Sequence, residues 1–364
     1  MLGSFGEVFR RPAALLLVML FVVAGVATSC GGDDEDSAGA DTATSGEKKS
    51  AEGKDSEPVR IAFFSIAISN VYTQQAEKAI KEVAADRNAT VEVFDGAFDR
   101  RKQFAQVQDA ISSGKFDAFL AVPIDATGLV PVMEQAIKQG IEVGTISYPL
   151  GPDLEGSEPQ VEGQAISVLD PSGLRGQWIG ELTVQACEGI DPCKVVYFHG
   201  TKANPADQVQ RAGFDKEIAK NPAIEVVAEG EGGFLSEPAL KEMQNILQRE
   251  PDPNVVVAIG DQMTHGASIA LKAANKPYGT GEGEVRLIGL GASKLAVDGV
   301  NSGDWFATAL ALPFDEGRLA AEGILDAARG IVKEPQGVSA VEESGLNPLG
   351  TKENLVDFEP QWAG

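Results

Sequence analysis

Arg60-Ile61-Ala62-Phe63-Phe64-Ser65-Ile66-Ala67-Ile68-Ser69-Asn70-Val71-Tyr72 is the stretch that decides the fold. Its apolar run, Ile61–Phe64, follows a polar, proline-containing segment, and small and polar residues then lead into a helical pattern from Tyr72 onward. A buried strand that feeds a loop and then a helix is the opening unit of an α/β sheet. In open parallel sheets ligands sit beyond the carboxyl ends of the strands, so Ser65–Thr73 is expected to form a first ligand loop.

The same rhythm repeats downstream. Val91–Phe94, Ala118–Val122 and Glu142–Ile146 read as strands, separated by helical patterns. After an irregular stretch, Ser147–Gln164, a second series opens with Ile166–Leu169 and a helix from Pro171, for which Asp170 reads as the N-cap. Strands follow at Lys194–Phe198, Ile224–Ala228, Val255–Ile259, Val285–Gly289 and Trp305–Ala311, and the last long helix runs Phe314–Gly330. Spaced Pro and Gly mark Ile331–Gly364 as extended crossing segments. Strand–helix alternation with short connections implies right-handed crossovers and parallel sheets covered on both faces. The expected fold class is therefore α/β with two Rossmann-like lobes. One lobe is 58–163 with 312–345 returning to it, and the other is 164–311 with 346–364 as a crossing tail.

Ahead of this body lies a processing segment. Arg10 and Arg11 precede an apolar run, Ala13–Ala24, and Ala27-Thr28-Ser29-Cys30-Gly31 follows. A basic start, a short apolar core and small residues describe an export signal, and the core falls short of the ~20 residues of a spanning helix. The small residues before the cysteine resemble the lipobox of bacterial lipoproteins, which implies that residues 1–30 are a signal peptide and that Cys30 carries the lipid. Ala27 stands where leucine is usual. An ordinary cleaved signal peptide and a signal anchor are the alternatives. Residues 31–57 are rich in Asp, Glu, Ser, Gly and Ala, with almost no large apolar side chain, and are expected to be a disordered linker.

With 364 residues, 43% of them hydrophobic and 23% charged, the chain can fill two cores. A net charge of -24 argues against nucleic acid as a partner, since a phosphate-binding surface needs clustered Lys and Arg. No phosphate loop, dinucleotide fingerprint, nucleophile elbow or His-Glu-x-x-His pattern occurs, and the two histidines stand far apart. No cofactor, metal or catalytic set is expected. Cys187 and Cys193 lie between a helix end and a strand; in an exported protein they read as a local disulfide, with two buried thiols as the alternative.

Spread along the body are motifs that together resemble the type I periplasmic binding proteins, in particular the ribose-binding-like branch that serves ABC importers. They are Ile61-Ala62-Phe63-Phe64 with Asn70-Val71-Tyr72, Phe94-Asp95 with Gln106–Ile111, and Pro123-Ile124-Asp125-Ala126. Ala212-Gly213-Phe214, Gly260-Asp261-Gln262-Met263 and Ala307-Thr308 with Leu312-Pro313 continue the series. The resemblance implies lobes joined by a three-segment hinge that closes on a small-molecule ligand. It further implies an extracytoplasmic, lipid-anchored monomer that hands its ligand to ABC permease subunits and does no catalysis.

Strand-end reasoning and the resemblance select the same candidate ligand residues: Asn70, Tyr72, Asp95, Asp125, Ser147 and Tyr148 from the first lobe, and His199, Asn204, Gln208, Asp261 and Met263 from the second. Phe314 joins them at a crossing. Asp261 also reads as a helix cap, and Arg211 is expected to face solvent. The sequence departs from the sugar binders at positions that matter. Ser147-Tyr148 stand for an Asp-Arg pair, Gln208 for an arginine, Gly260 for an asparagine, Gly291 for an aspartate and Ala311 for a glutamine. A sugar or polyol is the expected ligand, with nucleosides, furanose-type signalling molecules and small aromatic or amide solutes open. The competing readings are a ligand sensor that signals to a membrane receptor, a tethered enzyme, and a repressor of the same fold, the last opposed by the export signal.

Overall fold

The computed structural model describes residues 57–364. The signal peptide, Cys30 and linker residues 31–56 lie outside the described residues. In chain order the first elements are β1 (Val59–Ser65), α1 (Val71–Asp86), β2 (Ala89–Asp95), α2 (Arg100–Ser113), β3 (Ala118–Ala121), α3 (Val130–Lys138), β4 (Glu142–Ile146) and β5 (Gln164–Val168). Then come α4 (Ser172–Ala186), β6 (Cys193–His199), α5 (Pro205–Ile218), β7 (Ile224–Glu231), α6 (Ser236–Arg249), β8 (Val255–Ala258), α7 (Asp261–Ala273) and β9 (Arg286–Gly291). The chain ends with α8 (Lys294–Ser302), β10 (Ala307–Leu310), α9 (Pro313–Ala328), β11 (Gln336–Val338), α10 (Ala340–Ser344) and β12 (Leu349–Gly350).

Two sheets of the same plan result, in the orders β11-β5-β4-β3-β1-β2 and β12-β10-β9-β8-β6-β7. The first is parallel throughout; in the second only β12 runs antiparallel, against β10. Strand β1 shows why this sheet is buried on both faces. Ile61 and Phe63 pack with α1 and α9 residues such as Ile80 and Ile324, whereas Ala62 and Phe64 turn to the opposite face with Val107 and Met133. In each sheet the winding reverses at the first strand of its lobe, between β1 and β3 and between β6 and β8. That is the place where a crevice opens beyond the strand ends.

Two expectations need correction. The sequence pattern places Gln164–Val168 in the second lobe, but β5 is hydrogen-bonded between β4 and β11 in the first sheet. The chain therefore crosses after Val168, and the second lobe starts with α4. Asp170 does not cap α4. Its carboxylate instead accepts from the Ser339 hydroxyl and, at 3.4 Å, from the Val341 N–H, so two crossing segments are tied together. Cys187 and Cys193 are disulfide-bonded, with an S–S distance of 2.07 Å, across the turn from α4 to β6. No helix among the described residues is long and apolar enough to cross a membrane.

Candidate ligand-binding cleft

The crevices of the two sheets face one cavity. Strand ends of the first lobe supply Ile66, Val122, Ser147 and Tyr148, while the start of α1 supplies Asn70, Tyr72 and Thr73. The second lobe contributes Ile259, Gly260, Gln262 and Leu290, and Arg175 reaches in from the first turns of α4. The space enclosed, about 60 Å³ accessible to water, is several times the ~10–15 Å³ that one water needs. It suits a small solute.

Asn70 is set by its position as N-cap of α1, where its Oδ1 accepts from the Thr73 N–H at 3.1 Å. Tyr72 donates its hydroxyl to Glu316 Oε1 at 2.9 Å, and the Ser147 hydroxyl reaches the other Glu316 oxygen. Ser147 holds a left-handed backbone, φ 64°, to do so. Glu316 comes from α9 and is 1% exposed. Burial, reinforced by the charge of Asp170, pushes its carboxyl up to about 7. Burial likewise raises the Tyr148 hydroxyl well above the ordinary tyrosine range.

Two phenylalanines line the cavity from matching turns. Asp95-Gly96-Ala97-Phe98 follows β2 and Glu231-Gly232-Gly233-Phe234 follows β7, the second strand of each lobe. The Gly96 and Phe98 N–H groups donate to Ser65 and Ile66, and those of Gly232 and Gly233 donate to His199 and Gly200. Phe98 and Phe234 both sit at φ 57°, which for a bulky side chain is strained. Strain of this kind concentrates at ligand clamps.

Trp362 closes the wall from the C-terminal tail. Its indole N–H donates to the Gly291 carbonyl at 2.8 Å, and its ring meets Tyr72 edge-on, 5.4 Å between centroids. A Cβ at Gly291 would lie 2.4 Å from Trp362 Cζ2. Glycine at this position is thus what admits the indole.

Of the residues expected at the site, Asn70, Tyr72, Ser147 and Tyr148 line the cavity; the others do not. Asp95 accepts from the Ile68 and Ala97 N–H groups at 3.1 and 3.0 Å, bracing the loop that carries Phe98. Asp125 closes its own turn on the Gly128 N–H at 2.8 Å. His199 is buried and lies 2.9 Å from Glu229, with burial lowering its pKa. Asn204 caps α5, and Gln208 donates to the Lys202 carbonyl at 2.9 Å. Asp261, fully buried, accepts from the Ser293 N–H at 2.8 Å and the Thr308 hydroxyl at 2.9 Å; it opens α7 without capping it. Met263 is core beneath Gly232, and Phe314 is half-buried beside Lys78, whose ammonium stands 5.7 Å from the ring centre. Arg211 does not face solvent: its guanidinium lies 4.9 Å over the Tyr197 ring and pairs with Asp215 and Glu229.

Arg175, Phe98, Phe234, Gln262 and Trp362 were missed. The paired turns holding the two phenylalanines are visible as a motif once the lobes are aligned. Nothing local to the tail announces Trp362, because its place depends on the whole path of the chain.

Two doubly wound lobes with a shared cavity at their strand ends define a cleft-type solute receptor. The chain belongs to the periplasmic binding protein domain family, whose model matches residues 61–331. It is 26% identical over 263 residues to the ribose import binding protein RbsB of Bacillus subtilis (strain 168), covering 72% of this chain and 79% of that one. It is 28% identical over 214 residues to a xylitol-binding protein of Mycolicibacterium smegmatis (strain ATCC 700084 / mc(2)155), covering 58% of this chain and 56% of the relative. Among solved structures, an ABC transporter solute binding protein from Mycobacterium smegmatis with bound glycerol superposes with a TM-score of 0.72 at 26% identity, covering 84% of this chain and 99% of that one.

Proposed function

We propose that the protein is an extracytoplasmic solute-binding lipoprotein, anchored through Cys30, that captures a sugar-like or polyol-like small molecule and delivers it to the permease of an ABC importer. The observation that carries this reading is the cavity, walled by strand ends from both lobes in a chain that belongs to the periplasmic binding protein family. Relatives named for ribose and xylitol support the solute class. The mechanism is capture by closure of the lobes about their crossing segments, with no covalent chemistry. Asn70, Tyr72, Ser147 and Tyr148 would contact the solute from one lobe, Phe234 and Gln262 from the other. The proposed form is a monomer, which suffices for capture because one chain supplies both walls.

Native mass spectrometry of the full chain, purified without refolding, tests this. A co-purified small molecule whose readdition raises the melting temperature is the expected result, since anything bound only by the folded state stabilises it. Absence of any bound mass, together with no melting shift from sugars and polyols, would overturn the reading.

A further inference from the structure

Arg175 is the cavity's unusual residue. Its Nε is fully buried and donates to nothing among the described residues. The carboxylates of Glu316, Asp170 and Asp207 act on it through charge, without a hydrogen bond. A guanidinium keeps its charge and carries five donors, so a buried one with an idle donor is costly unless something pairs with it.

No side chain that lines the cavity bonds the guanidinium, and Asp170 Oδ2, also buried without a hydrogen-bond partner among the described residues, is coupled to it by charge only. No Asp or Glu lines the cavity. Glu316, just behind the wall, has one oxygen on Tyr72 and the other on Ser147. Asn70 spends its Oδ1 on the Thr73 N–H, leaving only its NH2 to offer, and the Thr73 hydroxyl is bonded to the Ala67 and Asn70 carbonyls. A neutral sugar presents hydroxyls that need acceptors as well as donors, and buried donors or acceptors left unmatched weaken binding. Gln262 and the Tyr148 hydroxyl offer neutral acceptors, but among the described residues Arg175 is the one charged side chain that lines the cavity. The protein's overall charge of -24 repels an anion at long range, but within the cleft, inside a Debye length, the nearest group dominates.

We infer that the solute carries a carboxylate that pairs with Arg175, so that the ligand is an acidic sugar or polyol derivative and not the neutral compound. The inference rests on the solute-capture reading and narrows it. A planar guanidinium and a planar carboxylate pair through two parallel hydrogen bonds, which fixes the orientation of the solute as well as its charge.

The test uses matched probes on the full chain: ribose and ribonate, xylitol and xylonate, glucose and glucuronate, followed by melting shift and calorimetry. At least one acid is expected to bind, and more tightly than its neutral partner. Arg175→Met should weaken that acid roughly 100-fold, and Arg175→Lys should recover part of the loss. Circular dichroism and melting of both variants establish that they fold. Tighter binding of a neutral member, or undiminished acid binding by a folded Arg175→Met, overturns the acidic-ligand inference and leaves solute capture standing. If no acid binds, the inference also fails; if in addition no neutral compound binds and no mass co-purifies, solute capture fails with it.

Discussion

Glu316 is the carboxylate on which two cavity residues hang, and its ionisation is linked to stability. Its folded-state pKa of about 7 lies above the ordinary 4.5 because burial disfavours the charged form. The folded protein therefore holds this proton where the unfolded chain has lost it, and the stability so gained, full below about pH 4.5, is lost as pH rises through 7. The size is on the order of 3 kcal/mol. Glu316→Gln, uncharged and of the same shape, should melt close to wild type at pH 5 and clearly higher at pH 8. Asp207 and Asp261, both raised by burial to about 6, keep part of the pH dependence in either protein. Equal melting of variant and wild type at pH 8 would show that Glu316 is not strained by its charge. Gly291 supports a second prediction. It sits at φ 147°, with the indole of Trp362 where a side chain would go. Gly291→Ala should cost roughly 1–3 kcal/mol in urea unfolding, with a changed tryptophan emission as the indole is displaced. Ser147 and Tyr148 were legible in the sequence because they directly follow β4, and Asn70 and Tyr72 because they open the helix that follows β1. Asp125 in the loop after β3, and Gln208 and Asp261 in the first turns of α5 and α7, are just as favourably placed, yet their side chains satisfy nearby N–H or hydroxyl groups or a carbonyl. The strand-end rule selects loops, and hydrogen-bond accounting inside each loop decides which side chains remain for a ligand.

At the scale of elements, the second lobe is held by a backbone-close crossing of α4 and α5. A Cβ on Gly176 would lie 1.9 Å from the Gln210 carbonyl oxygen, and one on Gly213 would lie 2.1 Å from that of Gly173. Neither obstacle is a side chain that could swing away, so the helices would have to separate. Gly176→Ala and Gly213→Ala are each expected to lose about 3 kcal/mol or more, read as lower urea midpoints. A loss below 0.5 kcal/mol would mean that the helices part freely. The Gly213-Phe214 motif noticed in the sequence thus has a physical reason: the glycine admits the neighbouring helix and Phe214 fills the core beneath it. Strands and helices were legible because β-branched and apolar runs alternate with amphipathic stretches. The sheet to which β5 belongs was not. Gln164–Val168 has the pattern of a buried strand in either lobe, and only its pairing with β4 and β11 assigns it.

For the whole molecule, the path of the chain joins hinge and site. The three crossings are bonded to one another: Leu169 donates to the Val338 carbonyl and Leu310 to that of Pro348, each at 2.9 Å, beside the Asp170–Ser339 contact. The tail then runs over the second lobe, where the Trp362 and Ala363 carbonyls accept from the Lys294 and Leu295 N–H groups. From there Gln361 reaches back to the first lobe. Its Oε1 accepts from the Phe314 and Asp315 N–H groups at 3.0 and 3.3 Å, capping α9, and its amide donates to the Asp315 carboxylate. With the Trp362–Tyr72 ring contact, this makes the tail a strap between lobes. Gln361→Ala should remove about 1 kcal/mol of capping energy and also loosen the strap. In small-angle scattering the ligand-free variant is expected to show a larger radius of gyration than wild type, with saturating ligand bringing the two together, because a ligand that prefers the closed lobes shifts the population toward them. The same loss of stability with no change in radius would reduce Gln361 to a helix cap and leave lobe closure to the hinge and the ligand alone.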